Sequence, residues 1–386
     1  MLENLPSLST VILEKAFQYV NDISVSNFLS SSYKNSVSIC GANELLLTNP
    51  TVTHLTVNSD CLNELTEVQL NRFVVLKELV IGSSSLNNAA SLKVIDMNAL
   101  EQLVIGSNSF SNREGAFELK DCPLMKKLRI ANGAMREFSS IQISGVPLLE
   151  VMEIGSNSFM NVAELRLIEL PNLKKVEIPE SSFSEKDGAF ELRNCSCVSE
   201  LWVGNGGLKQ FESALIEGLP SLERIAFGDD CLKNAAELRL RGLPKLRSVE
   251  VGEDSFTNKE GMMELNSCPL LNELRVGNRS MPVFTSLSFS ALPSLKEIHI
   301  GRECFKKVND FGFPGLSGLQ NVTIGDQSFS QGNGVFAVSS TVEELHVGVN
   351  AFTHYTSCFI HDAPSLKLLS IEENSFRESS LVLKSG

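Results

Sequence analysis

One short pattern recurs along most of this 386-residue chain. The stretch LEQLVIGSNSF (100–110) returns as LEVMEIGSNSF (149–159), with the same ends and a changed middle. Apolar residues stand at positions one, four, six and eleven of the pattern, which occurs fourteen times at spacings of 23 to 25 residues. Such a period predicts stacked copies of one small unit, because a single copy cannot bury its apolar side alone. The first positions are Val52, Leu76, Leu100, Met125, Leu149, Leu173, Val198, Leu222, Leu246, Leu271, Leu295, Leu319, Val342 and Leu366.

The first half of each copy has the pattern of a half-buried strand. In LRSVEVGEDSF (246–256), Val249 and Val251 alternate with the polar Glu250, which predicts an inward and an outward face. Gly252 follows at position seven, which is Gly in ten copies. A glycine there indicates either a positive φ or the close approach of another backbone.

The later positions predict a turn and a second strand. Position nine is Asn or Asp in seven copies, and we expect these side chains to hydrogen-bond turn amides. Position eleven is Phe in eight copies, so stacking predicts a column of rings. In AELRL (236–240), Ala236, Leu238 and Leu240 alternate with charged residues, which predicts a short second strand with these three side chains inward.

The pattern LxxLxLxxNxL in about 24 residues resembles the leucine-rich repeat (LRR) superfamily. Its short, strand-like second half is similar to the all-β, BspA-like repeats. The resemblance implies a mostly β fold, an LRR solenoid of about 14 regular coils with a concave parallel sheet and short convex strands. We expect it over residues 45–386, truncated in the last coil, so the chain is a fragment or its end pairs with another protein. Residues 1–44 are predicted to be degenerate N-terminal coils acting as a cap, or a disordered tail.

Charge and composition argue against several partners. The formal net charge is −13, and nucleic acids and anionic membranes both reward Lys and Arg. The chain contains no apolar run of about 18 residues, so the sequence predicts no transmembrane segment in it. The N-terminus, MLENLPSLST, lacks the cationic start and apolar block of a secretory signal, so we expect a cytoplasmic location.

The nine cysteines follow the repeat. Cys122, Cys195 and Cys268 share one slot, whereas Cys61, Cys231 and Cys304 occupy position ten, which is usually Ser. Equivalent residues three coils apart are too distant to be bridged, and the total is odd, so we expect reduced, small buried thiols.

No catalytic or metal signature stands out. His299 and His346 both take position five, but they are two coils apart and too far to share one ion. The pair Cys195 and Cys197 forms a CxC with no second cysteine pair in phase, which is weak evidence for zinc. The chain lacks the GxxxxGK[ST], HExxH, GxSxG and kinase motifs. We therefore expect no enzyme, no cofactor and no metal site.

The outward side chains at position five are the remaining candidates. The two opening copies differ at this position, with Val104 in one and Glu153 in the other. Trp202, the single tryptophan, also stands at position five, among residues of both charge signs. Such a composition is typical of protein-binding hot spots. The hypothesis is a protein recognition or scaffolding module that binds a protein or peptide through the concave face. The alternatives are a solvated face with no partner, or a cell-surface adhesion or sensing ectodomain whose membrane anchor is absent from this chain. The predicted partner-binding residues are Arg129, Glu153, Glu177, Trp202, Glu250 and Arg275.

Overall fold

The chain forms parallel β coils in two compact units. The computed structural model describes residues 10–12, 36–112, 114–313, 315–338, 341–361 and 363–384. The units comprise residues 1–186 and 187–386. They are nearly all-β and contain about 13 turns in total, so the predicted solenoid fold class is confirmed.

The described residues of the first unit form one short helix and a series of strands. The elements are β1 (Thr10–Ile12), β2 (Ser36–Ile39), α1 (Ala42–Leu47), β3 (His54–Val57), β4 (Glu78–Ile81), β5 (Ser91–Ile95), β6 (Gln102–Ile105), β7 (Ala116–Lys120), β8 (Lys127–Ile130), β9 (Ser140–Ser144), β10 (Val151–Ile154), β11 (Glu164–Ile168) and β12 (Lys175–Ile178). One parallel sheet has the order β1-β2-β3-β4-β6-β8-β10, and another has the order β5-β7-β9.

The second unit repeats the arrangement of parallel strands. The elements are β13 (Ala189–Arg193), β14 (Glu200–Val203), β15 (Ser213–Glu217), β16 (Arg224–Phe227), β17 (Glu237–Arg241), β18 (Ser248–Val251), β19 (Met262–Asn266), β20 (Glu273–Val276), β21 (Ser286–Ser290), β22 (Glu297–Ile300), β23 (Phe311–Gly312), β24 (Asn321–Ile324), β25 (Val335–Val338), β26 (Glu344–Val347), β27 (Ser357–His361), β28 (Leu368–Ile371) and β29 (Ser380–Lys384). The even-numbered strands follow one another in a parallel sheet from β14 to β28, and the odd-numbered strands form the runs β13 to β21 and β23 to β29.

The strand of the motif lies where the sequence predicts it. In β18 the side chains of Val249 and Val251 are buried and that of Glu250 is exposed. The second strand begins one residue later than expected, at Glu237, so Ala236 precedes it and is half-buried, whereas Leu238 and Leu240 are buried as predicted.

The glycine at position seven is required by close packing between coils. A Cβ on Gly252 would lie 2.4 Å from the carbonyl carbon of Gly228 and 2.6 Å from the amide nitrogen of Asp229. Positive φ occurs instead at positions nine and eleven, for example at Asp254 (55°) and Phe256 (55°). Asn and Asp suit position nine because they tolerate the left-handed region better than most residues.

The side chains that accept hydrogen bonds from turn amides stand at position eight rather than position nine. Asn132 Oδ1 accepts from the amide of Ser156 at 3.0 Å, one coil later. Asp229 Oδ1 accepts from the amide of Glu253 at 2.7 Å in the same way. The expectation that position nine supplies these bonds was therefore one residue off.

Position ten explains the Ser and Cys that share it. Ser255 is buried and its hydroxyl donates to the carbonyl of Gly228 at 3.1 Å. The Cys231 and Cys304 thiols donate to the carbonyls of Gly204 and Gly277 at 3.2 and 3.1 Å. The thiol thus occupies the place of the hydroxyl, and the prediction of small buried thiols is confirmed at these two positions.

The predicted ring column is present. In the second unit Phe352 stacks on Phe329 and on Phe376, with centroids 4.8 Å apart in both pairs. In the first unit Phe159 stacks on Phe183 at 5.5 Å. Neighbouring coils therefore share one apolar core within each unit.

The N-terminal coil contains a disulfide that the sequence did not predict. Cys40 and Cys61 form a disulfide with a Cα–Cα distance of 4.8 Å. The expectation that all nine cysteines are reduced failed because Cys40 lies one coil before Cys61, close enough for a bridge. Residues 1–9 and 13–35, which make up most of the predicted 1–44 cap, lie outside the described residues.

Candidate functional site

The sheet of each unit displays its position-five side chains on the outward face. The side chains at positions four and six are buried in every copy of the motif but the last, where Leu369 and Ile371 are half-buried, and the strand alternation turns the intervening residue away from them. Equivalent residues of neighbouring coils are cross-strand partners, as Glu250 is with Ala226 and Arg275. The position-five side chains of neighbouring coils therefore form a continuous row.

Three of the predicted residues belong to the first unit. Arg129 and Glu153 are cross-strand partners and form a two-pronged ion pair, with Nε–Oε2 at 2.9 Å and Nη2–Oε1 at 3.3 Å. Glu177 pairs with Lys175 Nζ at 2.6 Å on its own strand. Each of these charges is already balanced by a neighbour.

The other three lie in the second unit, where we define the Trp202 face as the exposed side chains of Trp202, Arg224, Glu250 and Arg275, with the buried Ala226 between Trp202 and Glu250. Trp202 is 42% exposed, in agreement with its predicted exposure, and its cross-strand partner Ala226 is small. Arg224 Nη2 lies 3.2 Å from Glu250 Oε2. The exposed indole of Trp202 therefore lies on the same face as charged side chains that are paired with one another.

Residues at position three are ion-pair partners of residues at position five. Arg224 pairs with Glu250, and Glu273 pairs with Arg275. A position-three residue precedes position five by two residues, so strand alternation places the two side chains on the same face.

A further group on this sheet contains one histidine and two carboxylates. The ligand atoms of Glu273, Glu297 and His299 all lie within 4.8 Å of one another. In the sequence, His299 stood out only together with His346, which shares position five. The sequence EIH (297–299), with Glu273 one coil earlier, was the signal that could have revealed the group.

The buried thiols are chemically quiet. Burial raises the pKa of Cys122 to about 11 and those of Cys231, Cys304 and Cys358 to about 12. The thiolate is the nucleophile and the metal ligand, so these groups are poorly reactive near neutral pH. Cys197 differs because it is exposed.

Among the described residues, no helix has the length and apolar character needed to cross a bilayer.

The repeat geometry defines a β-solenoid repeat protein, and comparison with known proteins specifies the kind. A family model for the BspA type leucine rich repeat region matches residues 104–233 and 264–382, in six copies. Because these matches cover more than half of the chain, the protein belongs to this leucine-rich repeat family. Its repeats generally serve as protein-interaction or adhesion modules, and the fold is typically non-enzymatic.

Two solved structures are similar to the chain. CroV588, described as a novel circular LRR protein, shares 13% identity with a TM-score of 0.29, and the match covers 90% of this chain and 61% of CroV588. The pneumococcal vaccine antigen PcpA shares 14% identity with a TM-score of 0.22, over 83% of this chain and 80% of PcpA. The chain thus spans less than two thirds of CroV588. The comparison with curated proteins found no match.

Proposed function

We propose that the protein recognises another protein or a peptide through the Trp202 face. The observation that carries this proposal is the 42% exposure of the single tryptophan on the outward side of a sheet. Exposing an indole to water is unfavourable, and a partner that covers it gains apolar burial. Trp and Arg are also the residue types most enriched in binding hot spots.

The charges around the indole favour a protein over a polyanion. Arg224 and Glu250 are paired, as are Glu273 and Arg275, so the surface carries both signs side by side. A polyanion needs one continuous positive surface, whereas a protein can match alternating charges. The first-unit residues Arg129, Glu153 and Glu177 are proposed as further partner contacts on the same argument.

A pull-down from lysate with the purified chain tests this function. The parent is compared with Trp202→Ala and with Arg239→Ala, whose side chain lies on β17 in the other sheet of the second unit. We expect specific partners that are lost with Trp202→Ala and retained with Arg239→Ala. Partners retained equally by all three proteins would reject the Trp202 face as the binding surface.

We also propose that the protein acts by binding rather than by catalysis. The alternating ion pairs leave the Trp202 face without the adjacent nucleophile and base that covalent catalysis requires. Incubating the purified chain with substrates of the common hydrolases, and finding turnover, would contradict this proposal.

A second candidate function is a cell-surface adhesion or sensing ectodomain. The Cys40–Cys61 disulfide favours it, because disulfides persist mainly in oxidising compartments. Labelling of intact source cells with an antibody to the folded chain separates the two functions. Surface labelling favours the ectodomain, and labelling only after permeabilisation favours cytoplasmic recognition.

A further inference from the structure

An exposed apolar row follows one corner of the first unit. It is formed at position zero, which we define as the residue immediately before position one of each copy. The side chains of Val75, Leu124 and Leu148 at this position are 39%, 43% and 38% exposed, and Ala99 is half-buried. We define the corner row as these four residues, which come from four successive coils in the order Val75, Ala99, Leu124 and Leu148.

Backbone hydrogen bonds hold these four coils in register. The amide of Glu101 donates to the carbonyl of Lys77 at 2.8 Å, and the amide of Lys126 donates to the carbonyl of Glu101 at 2.8 Å. The amide of Glu150 donates to the carbonyl of Lys126 at 2.9 Å. Each of these residues stands two residues after a member of the corner row. Because neighbouring strands lie about 4.8 Å apart, the corner row is a continuous strip about 14 Å long.

The repeat itself does not require apolar side chains at this position. In the second unit position zero holds Ser221, Lys245 and Ser294, around an isolated Leu270 that is 42% exposed. Monomeric proteins rarely leave large contiguous apolar patches open to water. A surface that covers the corner row therefore accounts for its composition.

Charges of alternating sign flank the corner row. The position-two side chains beside its four members are, in order, Lys77, Glu101, Lys126 and Glu150. Lys126 Nζ lies 2.9 Å from Glu101 Oε2. Alternation over an even number of coils is self-complementary, because two such rows that face each other in antiparallel order bring every charge against the opposite sign.

We propose that the corner row binds a second copy of this chain in a symmetric, antiparallel dimer. A two-fold axis between Ala99 and Leu124 places each of these residues opposite the other in the second copy. Val75 and Leu148 meet in the same way at the two ends of the row. The dimer thereby removes the apolar side chains of both copies from water. Because the strip is short, the dimer is weak and forms only at high protein concentration.

The flanking charges select the position of the two-fold axis. With the axis between Ala99 and Leu124, Lys77 of one copy meets Glu150 of the other, and Glu101 meets Lys126. An axis through the coil of Leu124 would instead oppose Lys126 to itself and Glu101 to Glu150. The corner row lies in the first unit and excludes the Trp202 face, so this dimer does not depend on the recognition function proposed above.

Sedimentation equilibrium of the full chain, at concentrations up to roughly 1 mM, tests the dimer. We expect a monomer–dimer equilibrium that the combined Leu124→Ser and Leu148→Ser variant weakens about tenfold or more, because it removes most of the apolar contact. Leu270→Ser is the matched control, since it makes the same change at the same position in the second unit, and it should leave dimerisation unchanged. Circular dichroism of each variant confirms that its fold is retained.

Charge reversal tests the antiparallel arrangement. Lys77→Glu and Glu150→Lys should each weaken the dimer about tenfold or more, because each opposes like charges across the interface. The variant that combines both changes restores opposite signs and should dimerise as well as the parent.

Three results would overturn the proposal. One is a parent that stays monomeric over the whole concentration range, including one that co-sediments with phosphatidylcholine vesicles through Leu124 and Leu148, which would assign the row to a lipid surface. Another is an equal loss of dimerisation in Leu270→Ser and in the combined Leu124→Ser and Leu148→Ser variant. The third is a combined Lys77→Glu and Glu150→Lys variant that dimerises no better than either single variant.

Discussion

At the scale of single residues, Gly252 shows what the repeat fixes. A Cβ there would meet the backbone of Gly228 and Asp229, which cannot rotate away. We therefore expect Gly252→Val to lower the free energy of unfolding by about 1–3 kcal/mol, the range for overpacking. Glu250→Val loses an exposed ion pair, which is worth about 0.2–1 kcal/mol. Thermal unfolding followed by circular dichroism compares the two variants, and equal losses would contradict the assigned strand alternation.

The cysteine side chains give a second prediction at this scale. Burial raises the pKa of Cys122 to about 11 and that of Cys231 to about 12. The neutral thiol is therefore the dominant form at pH 8, and the reactive thiolate increases only as the pH rises towards these values. We expect iodoacetamide at pH 8 to modify Cys197 rapidly and the buried thiols slowly, as measured by mass spectrometry of the native chain.

The control for this labelling is the reduced chain in guanidinium chloride, where all cysteines should react. Rapid native labelling of Cys122 or Cys231 would mean that the coils open readily or that these side chains are not buried.

Residue types alone did not distinguish between two reasons why a residue recurs at one position of the repeat. Gly252 was predicted to adopt positive φ or to allow a close approach, and the structure selects the close approach. The Asn and Asp of position nine adopt the positive φ instead, at 55° in Asp254. Both choices depend on the distance to the next coil, which no single copy of the repeat contains.

At the scale of elements, the Cys40–Cys61 bond ties β2 and the start of α1 to the turn after β3. It closes a segment with a sequence separation of 21, and a loop of about that length contributes about 3 kcal/mol in the chain-entropy view. We expect a reductant to increase hydrogen exchange in β2 and β3 while exchange in the second unit stays unchanged. If all nine cysteines were reduced, as the sequence predicts, a reductant would have no effect.

Peptide mapping without reduction is the companion measurement, and it should recover Cys40 and Cys61 in one linked peptide. A map in which both cysteines are free, together with exchange that does not respond to the reductant, would reject the bond.

Strand positions were predictable at this scale because burial follows the sequence period, as in β18. The helix α1 was not predicted. Its first turn is held by Glu44 Oε2, which accepts from the amides of Cys40 and Gly41 at 2.6 and 3.1 Å. The helix lies between β2 and β3, where most later coils have their second strand, and the repeat pattern contains no sign of it.

At the scale of the whole molecule, the fourteen copies of the motif were sufficient to predict the family and the all-β fold. The copies could not predict the partner, because the outward side chains can differ between coils without changing how a coil folds. The group of Glu273, Glu297 and His299 was missed for a related reason. Its members come from two coils, and only the cross-strand register brings them together.

The central claim is that a partner covers Trp202. Because Trp202 is the only tryptophan, growth with 5-fluorotryptophan places one fluorine probe in the chain, on this face. We expect the fluorine NMR signal to shift saturably as a partner from the pull-down is added. Trp202→Ala should weaken binding of that partner by about 2 kcal/mol or more in calorimetry, whereas Arg239→Ala should change it little. An unshifted fluorine signal at saturating partner, with Trp202→Ala binding as tightly as the parent, would contradict recognition through the Trp202 face.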